Sequence, residues 1–109
     1  VLFRSLARNW YNPAKIGKAR MMDELSFKEQ LAREGFGEAG LLEWEAGTVN
    51  ESHTHDFTAS ALVISGAITV TTDDGATTCK AGDSFTLPAG IPHTESVGGD
   101  GVRFLVARK

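Results

Sequence analysis

With 109 residues, 11 Lys and Arg against 14 Asp and Glu, and a net charge of −3, the chain has room for one domain and one modest core. No apolar run approaches the ~20 residues of a membrane-spanning helix, and no polybasic cluster accompanies a groove-reading motif, which argues against membrane and nucleic-acid partners. The single Cys79 cannot close an internal disulfide; this fits a reducing, cytoplasmic setting, and a mid-strand position gives the thiol a packing role.

Charge divides the chain in two. Residues 1–22 carry Arg4, Arg8, Lys15, Lys18 and Arg20 and no acid, whereas residues 23–109 carry all fourteen acids against six bases. The first segment is read as an arm that lays Leu2, Phe3, Leu6, Trp10 and Tyr11 on a neighbouring subunit. Alternatives are a cloning remnant, an over-extended start ahead of Met21-Met22, or an Arg-rich transit peptide. Residues 23–109 are expected to form a single barrel domain.

A short helix is predicted over 25–34. Ser26 followed by Glu29 forms a capping-box pattern, Phe27 and Leu31 fall one turn apart, and Gly35 provides the stop. Its expected work is to cover an open end or edge of the sheets. From residue 40 onward the pattern changes to short strands. Over 40–46, Leu42, Trp44 and Ala46 alternate with Glu43 and Glu45, one face for the core and one for water. Strands are predicted from Phe57 to Ser65 and from Ala67 to Thr72, followed by a turn at Asp73-Asp74-Gly75 and a strand from Ala76 to Lys80. Ala81-Gly82-Asp83 turns again, and strands Ser84 to Leu87, Pro92 to Val97 and Val102 to Ala107 complete the run. Such spacing marks an all-β sandwich or barrel.

All three histidines sit in two patches of this β region: His53 and His55 in one, His93 in the other. On a strand, residues two apart project to the same side, so His53 and His55 are expected to grip one ion while Thr54 points elsewhere. The second patch, Gly82 through Pro88 and Gly90 to His93, reads as a turn that leads into a new strand carrying the third imidazole. Neutral imidazole is the commonest side-chain metal ligand. Glu51 shares the parity of the His-x-His pair and Glu95 that of His93, so each is a candidate acid-base group or weak fourth ligand. Asp56 adjoins His55 with the opposite parity. For each carboxylate the competing reading is a solvated surface acid.

These residues closely resemble the two motifs of the cupin family, G-x5-H-x-H-x3,4-E-x6-G and G-x5-P-x-G-x2-H-x3-N. Gly47, His53, His55 and Gly66 match the first, and Gly82, Pro88, Gly90 and His93 match the second. The resemblance covers about residues 41 to 107. It implies a double-sheet jelly-roll barrel with a metal in its mouth, and it implies a homodimer, since small cupins commonly dimerise. Two positions depart from the pattern. The family's glutamate falls at Ala59, with Ser60 at the alternative spacing, and its asparagine falls at Val97. The resemblance therefore implies a three-histidine site, as in some cupin dioxygenases, in place of the commoner site with three histidines and one glutamate.

Three neutral imidazoles leave a divalent ion its full charge, which should favour an anionic substrate. They favour iron or zinc first, with nickel, copper and manganese behind. Open positions on the ion suit a catalytic metal. Ala59, Ala61, Val63, Phe85 and Phe104, with Leu87 and Val102, are candidate walls of a small apolar pocket, though such residues are more often simple core. The implied activity is a metal-dependent enzyme acting on a small organic anion, dioxygenase-like or an isomerase or lyase. The alternatives are a non-catalytic module that binds a metal or small ligand, and a scaffold barrel without chemistry.

Overall fold

The computed structural model describes residues 17–19 and 22–109. The expectations placed on residues 1–16, including the packing of Leu2, Phe3, Leu6, Trp10 and Tyr11, lie outside the described residues. The described elements are β1 (Gly17–Ala19), α1 (Glu24–Arg33), β2 (Gly40–Trp44), β3 (Val49–His53), β4 (Ala59–Thr72), β5 (Gly75–Lys80), β6 (Ser84–Leu87) and β7 (His93–Arg108). The short strand β1 falls inside the stretch that charge set apart, and its backbone pairs with β6.

The frame is a pair of long strands. β4 and β7 run antiparallel from Ala59↔Arg108 to Thr71↔Thr94, and their two halves recruit different neighbours. The first half of β4 pairs with β6 and the last part of β7 with β2; the second half of β4 pairs with β5 and the start of β7 with β3. Two sub-sheets thus share β4 and β7 and close over one core of Ala61, Val63, Ile68, Val70, Cys79, Phe85, Val97, Val102 and Phe104. This is an all-β jelly-roll barrel with one short helix.

The sequence pattern suggested breaks at Gly66 and between Val97 and Val102, yet each long strand runs on. Both strands bend at glycines that face each other: Gly66 and Gly101 have φ of +79° and +74°, and a Cβ on Gly66 would lie 1.9 Å from the Gly101 carbonyl oxygen. Register shifts flank the bend. A bulge with left-handed glycine turns the corner while the ladder continues on either side, so a break in side-chain pattern is not a break in pairing.

The helix begins one residue earlier than predicted. Its cap is Asp23, whose Oδ1 accepts the Ser26 amide at 2.7 Å; Ser26 is already inside the first turn. The carboxylate both satisfies an orphan N–H and complements the positive helix terminus. At the other end Gly35 and Phe36 donate back to the Ala32 and Leu31 carbonyls, closing the helix. Phe27 and Leu31, 1% and 4% exposed, pack with Leu62, Leu105 and Ala107. The helix therefore covers the outer face of the β4 and β7 pair, where an open end or edge was expected. Burying each large side chain is worth roughly 1.5–3 kcal/mol.

On β2, Leu42 and Trp44 turn toward the barrel cavity while Glu43 pairs with Arg103 opposite it. Ala46, expected to end this strand, lies in the following turn. Cys79 is fully buried in the core. No helix among the described residues is long and apolar enough to cross a membrane.

Candidate metal centre

His53 ends β3 and His93 begins β7, and the two are directly paired across the antiparallel ladder. Opposed residues put their side chains on one face about 4.5–5.5 Å apart, and the two ring centroids are 4.3 Å apart. His55 does not sit on a strand, contrary to the His-x-His expectation. It lies in the connection to β4, where its carbonyl accepts the Gly90 amide at 2.8 Å. That bond ties the two histidine patches together, and Gly90 makes it with φ of +81°. The three imidazoles end up with one nitrogen each within 4.8 Å of the others, a group that could hold one metal ion with a small inward shift of the rings.

Local hydrogen bonds choose the nitrogens. His53 Nδ1 lies 2.7 Å from the Glu51 carbonyl and His93 Nδ1 lies 2.9 Å from the Ile91 carbonyl. A carbonyl only accepts, so each Nδ1 carries the proton and each Nε2 offers a lone pair. His93 is 2% exposed. Its Nε2 is, among the described residues, the buried side-chain nitrogen or oxygen without a hydrogen-bond partner. A buried acceptor left unpaired costs about 1–3 kcal/mol, and a metal ion removes that penalty. The His55 imidazole is held below its ordinary pKa, mainly by desolvation and then by His53 and His93, against the opposing pull of Glu95. The shift favours the neutral, ligating form.

The two candidate carboxylates part company. A register shift between Asn50 and His53 breaks the parity on which Glu51 was chosen. Its side chain is exposed, and its contribution is the carbonyl that orients His53. Glu95 lies beside the imidazoles, with Oε1 3.7 Å from His53 Nε2 and Oε2 3.6 Å from His93 Nε2. Asn50, which pairs with Glu95 across the ladder, donates to Oε1 at 2.9 Å. Asp56 is exposed at a bend.

A cavity of about 500 Å³ opens beside the histidines, within the range of small-molecule sites. Ala59, Ala61, Phe85, Leu87 and Phe104 contribute to its wall. Val63 and Val102 lie in the core and do not line it. Ala59 faces the cavity without a donor atom, while Ser60 is buried and bonded to Thr86. Val97 packs in the core. Sequence reasoning missed Asn50, Phe57 and Arg108. Phe57 stacks on His55 with centroids 4.7 Å apart, and the Arg108 guanidinium lies over Phe57 at 4.6 Å. Their signal was faint: Asn50 has the wrong parity until the bulge is known, and Arg108 lies far from both motifs in sequence.

A jelly-roll barrel that gathers three histidines beside a cavity is the architecture of the cupins. The cupin domain family profile matches residues 40–107, and the chain belongs to that family. Similar solved structures include a DUF861 family protein from Thermotoga maritima, 19% identical over 84% of this chain and 97% of that one, with TM-score 0.62. KdgF from Halomonas sp. is 21% identical over 64% of this chain and 66% of its own, with TM-score 0.55. An oxalate decarboxylase from Bacillus subtilis, described for its Mn(II) centres, is 26% identical over 65% of this chain, with TM-score 0.58, and only 20% of its own length is spanned. The first two likenesses speak for the fold alone. No curated protein matches the chain.

Proposed function

We propose that this cupin is a small metalloprotein that binds one divalent transition metal through His53, His55 and His93 and acts on a small organic anion. The observation that carries the reading is the buried, unpartnered Nε2 of His93, aligned by Ile91 and grouped with two further imidazoles. Iron and zinc suit such nitrogen donors best, and the Mn(II) centres of the oxalate decarboxylase relative keep manganese among the candidates. Bound there, the ion supplies Lewis-acid polarisation of a substrate oxygen or, as iron, oxygen-dependent chemistry of the dioxygenase type.

The chain's own residues do the rest. Trp44, Leu42 and Phe104 give the cavity an apolar wall, and Arg108, held over Phe57, offers a guanidinium toward a carboxylate at the rim. Glu95 is the carboxylate placed to move a proton beside the imidazoles in an isomerase or lyase reaction. The competing reading, a module that binds a metal or small ligand without turnover, draws support from the apolar wall, which offers little other acid-base chemistry.

A homodimer is part of the proposal: Leu41 and Val49, 50% and 67% exposed, lie on the edge strands β2 and β3. A cytoplasmic setting would keep the buried Cys79 as a thiol. Sizing chromatography at rising dilution tests the dimer; elution as a monomer throughout removes it.

Elemental analysis of protein purified without added metal or an affinity tag, beside the His53→Ala/His93→Ala variant, tests the centre. The expected result is one transition-metal ion per chain, absent from the variant. Metal in neither sample overturns the reading, and metal without turnover of any small carboxylate favours the binding module.

A further inference from the structure

Glu95 and the histidines present a geometry suited to a shared cation. His53 and His93 each set Nδ1 against a backbone carbonyl, which turns both Nε2 atoms toward the Glu95 carboxylate at 3.7 and 3.6 Å. These spacings are too long for hydrogen bonds. They do match atoms sharing one ion, because two donors each ~2.1 Å from a metal lie no more than ~4.2 Å apart. The carboxylate is only 12% exposed, so water screens the three acceptors poorly. Asn50 fixes its orientation through Oε1.

We propose that Glu95 is a fourth metal ligand, a carboxylate supplied from β7 in place of the one that Ala59 on β4 does not provide. The inference rests on the three-histidine reading and extends it. Glu95 follows His93 by two residues on β7, and it lines the same cavity as Ala59 of β4, so the cavity receives a carboxylate from a different strand. Asn50 is a positioning residue that aims the carboxylate toward the imidazoles. With Glu95 bound, half of the ion's charge is neutralised, and the oxygen donor moves the preference toward iron and manganese. Arg108 rather than the ion then becomes the main attraction for a substrate carboxylate.

The test titrates metal-free protein with cobalt(II) alone, reading Kd by calorimetry and coordination by the visible d–d spectrum. Glu95→Gln keeps the size of the side chain and an oxygen for Asn50; it should weaken Kd at least about tenfold and change the cobalt spectrum. Adding Ala59→Glu to that variant, into open cavity space, should restore most of the affinity. Asn50→Leu, which leaves the carboxylate in place, should lose affinity severalfold less than Glu95→Gln. Circular dichroism of each metal-free variant confirms the fold. Wild-type Kd and spectrum in Glu95→Gln would overturn the inference while leaving the three-histidine centre standing. Failure of the wild-type protein to take up cobalt would overturn both.

Discussion

Under α1, Phe27 and Leu31 close on Leu62, Leu105 and Ala107, and both helix ends are capped by bonds within a few residues. At the start of β7, His93 is buried with an unpartnered Nε2, and the Glu95 carboxylate lies 3.6 Å from that nitrogen. The helix-covered face is arranged for stability, whereas the histidine end carries unsatisfied polar atoms that detract from it. Buried polar atoms survive without partners where a ligand completes them. The contrast separates what holds this barrel together from what it holds.

The largest expected effect lies at the hinge that serves both regions. Gly66→Val would drive a side chain into the Gly101 carbonyl and should cost about 4 kcal/mol or more, or abolish folding; soluble yield and urea denaturation measure it. Phe27→Ala should cost about 3–5 kcal/mol in the same denaturation while leaving cobalt affinity near wild type. A large loss of affinity in Phe27→Ala would erase the division between the two regions.

His93→Leu should do the reverse. The change removes the orphaned nitrogen together with the bond to the Ile91 carbonyl, so the metal-free protein should stay within about 1 kcal/mol of wild type, while metal affinity falls about a hundredfold or more. A destabilised metal-free His93→Leu would mean that the imidazole is structural. Asp23→Ala, far from the site, should lower the melting temperature by a few degrees and leave metal binding unchanged.

The smallest effect is one of pH. His55 has a folded-state pKa below the ordinary 6.5, so the unfolded chain takes up that proton first. Its contribution to stability is present above pH 6.5 and is lost as the pH falls through the folded value. Metal uptake should weaken in the same direction, since protons compete for the ligating nitrogens. Melting curves of metal-free protein from pH 8 to 5 check the first point. A melting temperature that rises on acidification would contradict the depressed His55 pKa.

Much of the barrel could be read from residue patterns because its cues are local. Alternation over Leu42 and Trp44, the turn at Asp73-Asp74-Gly75, whose glycine already pairs with Thr72, and the stop at Gly35 each act within a few positions. The helix was legible but its cap was misassigned, since Asp23 and Ser26 are both good caps and only the backbone geometry chooses between them. Gly66 looked like an end because a left-handed glycine interrupts the side-chain pattern whether or not the ladder continues. The three histidines were recognisable from their glycine and proline frame, while the strand setting of His55 was not, because β3 gives way after His53.

What the sequence determined by itself was therefore a β-barrel of this family, a short amphipathic helix and three imidazoles at spacings that fit its two motifs. Those are properties of order along the chain. Only the tertiary structure decided which carboxylate meets the histidines, because a single bulge between Asn50 and His53 turns Glu51 to solvent, while the pairing of β3 with β7 brings Asn50 against Glu95. Alternation has a period of two, so one extra residue reverses every later assignment of faces. The place of that residue depends on the partner strand, and no local pattern in Val49–His53 records it.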